Sequence, residues 1–328
     1  KVLQYYEGLK NHDRYYLAKA ITLVESSRKD HKYQAQQLLS VILDVRHSSS
    51  NSASTFRIGL SGPPGVGKST FIERFGMHIL SQGHRVAVLA IDPSSSRTGG
   101  SILGDKTRML ELSRQDNAYI RPSASHGTLG FCRSLGLNFS TWDLGLGEIV
   151  VVPTSRNTNE AMIMCEAAGF DVCLIETVGV GQSETMVADM VDMFILMVPP
   201  AGGDEIQGLK KGIVEISDMV VVNKDDGALE NAAREAVIEY TSALKYLRHS
   251  TPFWKPKSSG ELQIRRGNQR KLWMWRQITS ELLNRLNSDE SIKKLVDVLE
   301  KDVFDGKMTS GTAADHVVDV FTHKNAQV

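Results

Sequence analysis

The residues best suited to chemistry come first at Gly62, Pro63, Pro64, Gly65, Val66, Gly67, Lys68, Ser69 and Thr70. Their spacing is G-x-x-x-x-G-K-[ST], the Walker A phosphate loop. Glycines at these points let the backbone turn tightly and aim successive N–H groups at a polyphosphate. A helix starting here would add the partial positive charge of its N-terminus. Lys68 would reach the β- and γ-phosphates, and the Ser69 hydroxyl would be placed to ligate Mg²⁺.

A second constellation lies far downstream. Asn223, Lys224, Asp225 and Asp226 match N-K-x-D, a guanine reader. The Asp226 carboxylate would accept from the guanine ring N–H and exocyclic amine, which adenine cannot supply in that place. Asn223 would tie this loop to the phosphate loop, and the Lys224 stem would cover the base. Between the two motifs stand Glu176, Thr177, Val178 and Gly179. Glu176 would hold the Mg²⁺ shell, and the Gly179 N–H would meet the γ-phosphate. Gln182 follows and would orient an attacking water, from a register that is not the usual one. Asp92 and Asp105 are further metal candidates, or else an ordinary cap and a loop acid. Residues 94–104 are rich in Gly and Ser, which suits a switch loop. Residues 201–212 are glycine-flanked and charged, and read either as a segment that moves over the nucleotide or as a plain loop entering a helix.

Positioning these groups takes a particular scaffold. Phe56, Arg57, Ile58, Gly59 and Leu60 predict a buried strand before the loop, and Phe71 to Leu80 carries apolar residues at helical spacing. Further apolar runs at 85–91, 170–175, 193–198 and 218–222 predict four more strands. Near-continuous apolar strands separated by helices imply a parallel sheet covered on both faces, with ligands at the strands' carboxyl ends. The fold class is therefore α/β, a P-loop nucleotide-binding fold with a mostly parallel sheet flanked by helices. Residues 1–50 predict an N-terminal helical extension, 51–257 the nucleotide-binding domain, and 258–328 a C-terminal helical region. Helices are expected near 273–287, 291–304 and 312–321, with Trp273 and Trp275 as packing residues.

The totals narrow the function. Lys+Arg and Asp+Glu both number 38 in 328 residues, so net charge is zero, which argues against nucleic acid as the main partner. No apolar run approaches the roughly 20 residues that span a membrane, so no membrane role is expected. Cys132, Cys165 and Cys173 show no C-x-x-C spacing and read as free thiols in a reducing compartment. The chain opens on Lys1 without Met, so a targeting segment would already be gone.

Taken together, Gly62 to Thr70, Asp92-Pro-Ser-Ser, Gly104-Asp-Lys-Thr-Arg-Met, Ile175-Glu-Thr-Val-Gly-Val-Gly-Gln-Ser-Glu and Pro199-Pro-Ala-Gly-Gly-Asp-Glu resemble the MeaB/ArgK family of P-loop GTPases. The Trp273-Met-Trp tail fits as well. The resemblance covers nearly the whole chain. It implies a GTPase using GTP/GDP and Mg²⁺ that serves as chaperone to adenosylcobalamin-dependent methylmalonyl-CoA mutase. Such a chaperone gates cofactor loading and protects or reactivates the mutase, meeting the cobalamin only through that partner. It also implies a homodimer with a C-terminal dimerisation arm. Arg121-Pro-Ser and Trp273-Met-Trp look more like animal mitochondrial members, implying the matrix; a bacterial origin would imply the cytoplasm. By resemblance Asp92, Asp105 and Glu176 take metal and switch positions. Asp204 and Lys210 take a third switch loop answering to the mutase. The alternatives are a non-hydrolysing nucleotide-dependent scaffold, or another P-loop protein such as a kinase or metallochaperone; no Cys/His ligand cluster favours the last.

The chain departs from that pattern twice. The family reads G-T-L-G-G-V-x-R-x-T-x-E, whereas here Gly130 is separated from Arg156 by residues 131–155, an apparent insertion. After Asp226 the family has one more strand and a Ser-Ala-x loop that caps the guanine carbonyl. Here Trp254, Lys255, Pro256 and Lys257 run straight into Ser258, Ser259 and Gly260. Weakened guanine selectivity and stability are expected.

Overall fold

The computed structural model describes residues 2–26, 28–48, 55–92, 109–124, 154–177, 183–200, 211–247 and 259–325. The chain forms two compact units, the first reaching Gln269 and the second running from Arg270.

The first unit is built on six parallel strands: β1 (Phe56–Ser61), β2 (Val86–Asp92), β3 (Ala118–Ala124), β4 (Val172–Thr177), β5 (Met193–Val198) and β6 (Met219–Val222). Their order is β3-β2-β4-β1-β5-β6. β5 is buried at every position, which is why it carries an unbroken apolar run. Five strands coincide with the apolar runs of the sequence. β3 was not expected. Its apolar part is only Ala118, Tyr119 and Ile120, and Pro122 interrupts the pattern. Among the described strands it lies at the sheet edge beside β2, where a strand tolerates proline.

Helix α4 (Lys68–Ser81) follows β1, and its buried face, Ile72 and Ile79, packs with Ile58, Leu60, Val88, Leu174 and Ile195. Short helices α5 (Leu110–Ser113), α7 (Ser183–Ala188) and α8 (Lys211–Ile216), with the longer α6 (Thr154–Ala167) and α9 (Glu230–Leu247), complete the connections. The N-terminal region forms α1 (Val2–Lys10), α2 (Arg14–Glu25) and α3 (Lys29–Ser48), all touching α6. Asp13 caps α2 by accepting from the Tyr15 N–H at 2.8 Å. Glu25 and Thr22 of α2 accept from the Arg121 guanidinium at 2.5 and 3.1 Å, so this helix guards the β3 edge.

The amino ends of the strands are fastened by charge. Asp171, Asp192 and Asp218 each stand just before a strand. Each accepts the backbone N–H of a neighbouring strand segment: Arg85 at 2.8 Å, Arg57 at 2.9 Å and Phe194 at 2.9 Å. Helix α10 (Ser259–Ser288) then locks two of these acids from outside. Arg266 bonds both carboxylate oxygens of Asp192 and the Thr55 carbonyl, while Arg265 bonds Asp218 at 3.1 and 3.3 Å. Burial alone would lower the Arg266 pKa; its bonds to Asp192 and that carboxylate's charge outweigh burial and raise it. Glu166 of α6 joins Arg57 of β1 and Arg46 of α3, each at 2.7 Å.

In the second unit α10 continues to Ser288, followed by α11 (Glu290–Phe304) and α12 (Ser310–Asn325). Asp289 caps α11 through the Ser291 and Ile292 N–H groups. Trp273 is buried, with the Arg276 guanidinium over its ring, as expected of a packing residue. Trp275 is not: 63% of it is exposed. Among the described residues no helix is long and apolar enough to cross a membrane.

Candidate functional site

The phosphate loop leaves β1 at Ser61 and enters α4 at Lys68, placing the glycine turn at the carboxyl end of the sheet's centre. Two glycines are there by geometric need. Gly62 has φ 147°, and a Cβ there would lie 2.2 Å from the Met197 carbonyl oxygen of β5. Gly67, the helix N-cap, has φ 99°, and a Cβ there would lie 2.6 Å from the Asn223 side-chain nitrogen. No L side chain fits either position without displacing a neighbour. Val66 is buried, whereas Pro64, Gly65 and Thr70 face solvent and Pro63 is half-buried.

Lys68 is 7% exposed and donates to the carbonyls of Gly62 at 2.7 Å and Pro63 at 3.1 Å, lying back across the loop. The Ser69 hydroxyl donates to Glu176 Oε1 at 2.9 Å. One residue on, the Thr177 hydroxyl donates to the Ser61 hydroxyl at 3.0 Å, both fully buried. From the other side, Asn223 donates to the Val66 carbonyl at 2.8 Å, and its own N–H is held by Val198. Lys224 takes a left-handed backbone, φ 65°, as the loop turns out of β6, and Asp226 is exposed at the entry of the short 3₁₀ turn Gly227–Leu229.

Lys68, Ser69, Glu176 and Asn223 thus come together around one loop although 107 residues separate Ser69 from Glu176 and 157 separate Val66 from Asn223. Asp92 ends β2, next to β4, and only its backbone belongs to the described set. Asp105, Gly179, Gln182, Asp204 and Lys210 lie outside the described residues, as do 131–153 and Trp254 to Ser258. The Thr177–Ser61 contact joins residues 116 apart, and no local pattern in the sequence announces it. Cys165 and Cys173 are free and buried, and contact with Cys173, then burial, push the Cys165 thiol well up, so both behave as small packing groups. Among the described residues no three His, Cys, Asp or Glu gather to hold a metal. The oxygen donors at hand for a hard cation are the Ser69 hydroxyl and the Glu176 carboxylate, which suit Mg²⁺.

A parallel sheet with this loop after its first strand, a carboxylate at the end of the adjacent strand and N-K-x-D after β6 defines a P-loop GTPase. The comparisons with known proteins agree and go further. The chain belongs to the MeaB family, described as "Methylmalonyl Co-A mutase-associated GTPase MeaB", whose family model matches residues 17–138 and 150–259. It is 45% identical to the mouse "Methylmalonic aciduria type A homolog, mitochondrial", over 98% of this chain and 79% of the mouse protein. It is 42% identical to a probable GTPase of Mycobacterium tuberculosis, over 95% of this chain and 93% of that one. A crystal structure titled "LAO/AO transport system kinase" superposes with a TM-score of 0.70 at 31% identity, covering 98% of this chain and 97% of the other. The family match leaves out residues 139–149, inside the stretch expected to be inserted. The mouse alignment runs over 351 positions, more than the 328 residues here, so the mouse protein has residues with no counterpart in this chain.

Proposed function

We propose that this GTPase acts as a chaperone of methylmalonyl-CoA mutase, gating adenosylcobalamin loading and protecting or reactivating that enzyme. The observation that carries the reading is the intact phosphate loop, braced to Glu176 and Asn223, in a chain whose family is described by its association with the mutase. Ser69 and Glu176 would hold Mg²⁺, whose charge would offset that of the transferred phosphoryl group. Asp92 and Asp105 complete that side of the site, and Gln182 orients the water. The Gly179 N–H meets the γ-phosphate, Asn223, Lys224 and Asp226 take the base, and Asp204 and Lys210 answer to the mutase. Intrinsic turnover is slow, because positioning and electrostatics carry the reaction and the partner completes them.

The chain works as a homodimer through its C-terminal helices. Trp275, Ile278 and Leu282 lie at helical spacing on α10 and are 63%, 41% and 52% exposed, and Phe304 at the end of α11 is 91% exposed. Such an uncovered apolar row supports a second copy as its cover. The name of the mouse relative supports a mitochondrial location, which we take to be the matrix; the bacterial relative keeps the cytoplasm as the alternative. The deciding experiment is phosphate release from GTP with and without methylmalonyl-CoA mutase. Faster release with the mutase is expected, and an unchanged rate, with no co-elution of the two proteins, would remove the chaperone role.

A further inference from the structure

The buried bond between Thr177 and Ser61 joins the residue after Glu176 to the residue before Gly62, a mechanically special place. The ladder between β1 and β4 runs from Phe56 beside Val172 to Leu60 beside Glu176. Ser61 and Thr177 are the next residues on each strand, and the last. Where backbone pairing stops, a side-chain bond takes over.

What it joins follows from the chain on either side. Ser61 precedes Gly62, whose carbonyl accepts from Lys68. Thr177 follows Glu176, whose carboxylate accepts from Ser69. Successive side chains of a strand point to opposite faces. Glu176 therefore ties the end of β4 to the start of α4, and Thr177 ties it from the other face to the end of β1. Glu176 and Thr177 stay paired with Ala90 and Ile91 of β2, so it is on the β1 side that the hydroxyl bond holds this strand end past the last ladder pair. Packing alone does not call for this bond, since replacing both partners of a buried hydrogen bond with apolar groups of similar shape is close to neutral for stability.

We propose that Thr177 is a positioning residue, which through Ser61 holds the Glu176 carboxylate against the Ser69 hydroxyl and so sets the Mg²⁺ requirement of nucleotide binding and turnover. This rests on the reading of Ser69 and Glu176 as the Mg²⁺ side of the site.

The test uses the full chain and a fluorescent guanine nucleotide, titrated with and without Mg²⁺, beside GTP hydrolysis as a function of Mg²⁺. Thr177→Val removes the hydroxyl at nearly constant volume. It is expected to raise the half-saturating Mg²⁺ by roughly three- to tenfold, the worth of one hydrogen bond. Nucleotide affinity without Mg²⁺ stays within about twofold, because the phosphate loop itself is untouched. Thr177→Ser restores the parent Mg²⁺ requirement. The pair Ser61→Ala with Thr177→Val regains thermal stability but keeps the raised requirement, which separates positioning from packing and serves if the single variant does not fold. An unchanged Mg²⁺ requirement in Thr177→Val, beside a Mg²⁺-dependent parent, overturns the proposal alone. A serine variant as impaired as the valine variant also overturns it, since the methyl would then be what matters. Mg²⁺-independent binding and turnover by the parent overturns both the proposal and the reading beneath it.

Discussion

The two ends of the central sheet are held by opposite kinds of chemistry. At the carboxyl end the contacts are between hydroxyls, backbone carbonyls, one amide, one carboxylate and the Lys68 ammonium. At the amino end they are mostly ion pairs, Arg266 with Asp192 fully buried, and Arg265 with Asp218 and Glu166 with Arg57 and Arg46 partly buried. A carbonyl can give up a lysine to a phosphate at small cost, because the exchange replaces one polar partner by another. A buried carboxylate cannot give up its arginine without leaving an unpaired charge in a low-dielectric interior. The nucleotide end is built from exchangeable bonds and the opposite end from bonds that must not be exchanged.

The largest effect should come from breaking the fixed end. Arg266→Ala leaves Asp192, 1% exposed, with its charge uncompensated. The expected loss is about 3–5 kcal/mol, out of the about 5–15 kcal/mol that holds a typical domain together. Chemical denaturation followed by circular dichroism would read it. GTP turnover per folded molecule, measured in the cold, should stay within about twofold. A variant that kept its stability would erase the contrast between the ends. The converse change is Lys68→Ala. Turnover should fall by about 10²–10³, as for loss of one preorganised electrostatic donor, and nucleotide binding should be lost with it. The folded chain should persist, because the carbonyls of Gly62 and Pro63 lie beside the exposed Pro64 and Gly65, where water can replace the ammonium. Unchanged hydrolysis would remove the phosphate loop from the mechanism.

These two ends were unequally legible in the sequence. Lys68 and Ser69 are neighbours in a motif with fixed spacing, and the apolar strands around them announced a parallel sheet. The partner of Arg266 is 74 residues away and that of Arg265 is 47 away, so no local pattern pairs them. Helix α10 starts at Ser259, well before the expected 273, because its opening residues are polar and lack apolar periodicity. Strand β3 hid behind Pro122 for a similar reason: an edge strand needs less apolar sequence than a central one. Trp275 is 63% exposed on the single chain rather than packed within it, since residue type alone cannot say which side of a helix its own chain covers.

A smaller effect is expected at the base reader, which belongs to the exchangeable end but stands on its rim. β6 is the last strand of the described sheet, and Asp226 after it is exposed. Hydrogen bonds to a charged group contribute about 1.5–3 kcal/mol, and a solvent-exposed carboxylate realises the lower part of that range. GTP should therefore be preferred over ATP by roughly tenfold, where an enclosed polar pocket reaches 10⁴ or more. Competition between the two nucleotides would measure it, and Asp226→Ala should level them. Nanomolar GTP binding with a large preference over ATP would mean that the guanine side is complete.

The smallest effect, and the finest test of the contrast, is at Asn223. Its amide joins the base reader to the phosphate loop through the Val66 carbonyl, while its backbone N–H stays on Val198. Asn223→Ala removes only the first of these, so the loop after β6 keeps its place and the phosphate loop loses one lateral brace. One neutral hydrogen bond contributes about 0.5–1.5 kcal/mol, which corresponds to a roughly two- to tenfold weaker GDP affinity. Thermal stability should change by less than for any variant at the amino end. Because a Cβ at Gly67 would meet that same amide, removing the amide should relieve the contact part of a Gly67→Ala change, while the backbone strain at φ 99° stays. The pair of substitutions should therefore cost less than the sum of the two, read as GDP affinity in a double-mutant cycle. Strict additivity would mean that Asn223 and the glycine turn act independently, and that the exchangeable end is a set of separate contacts rather than one braced loop.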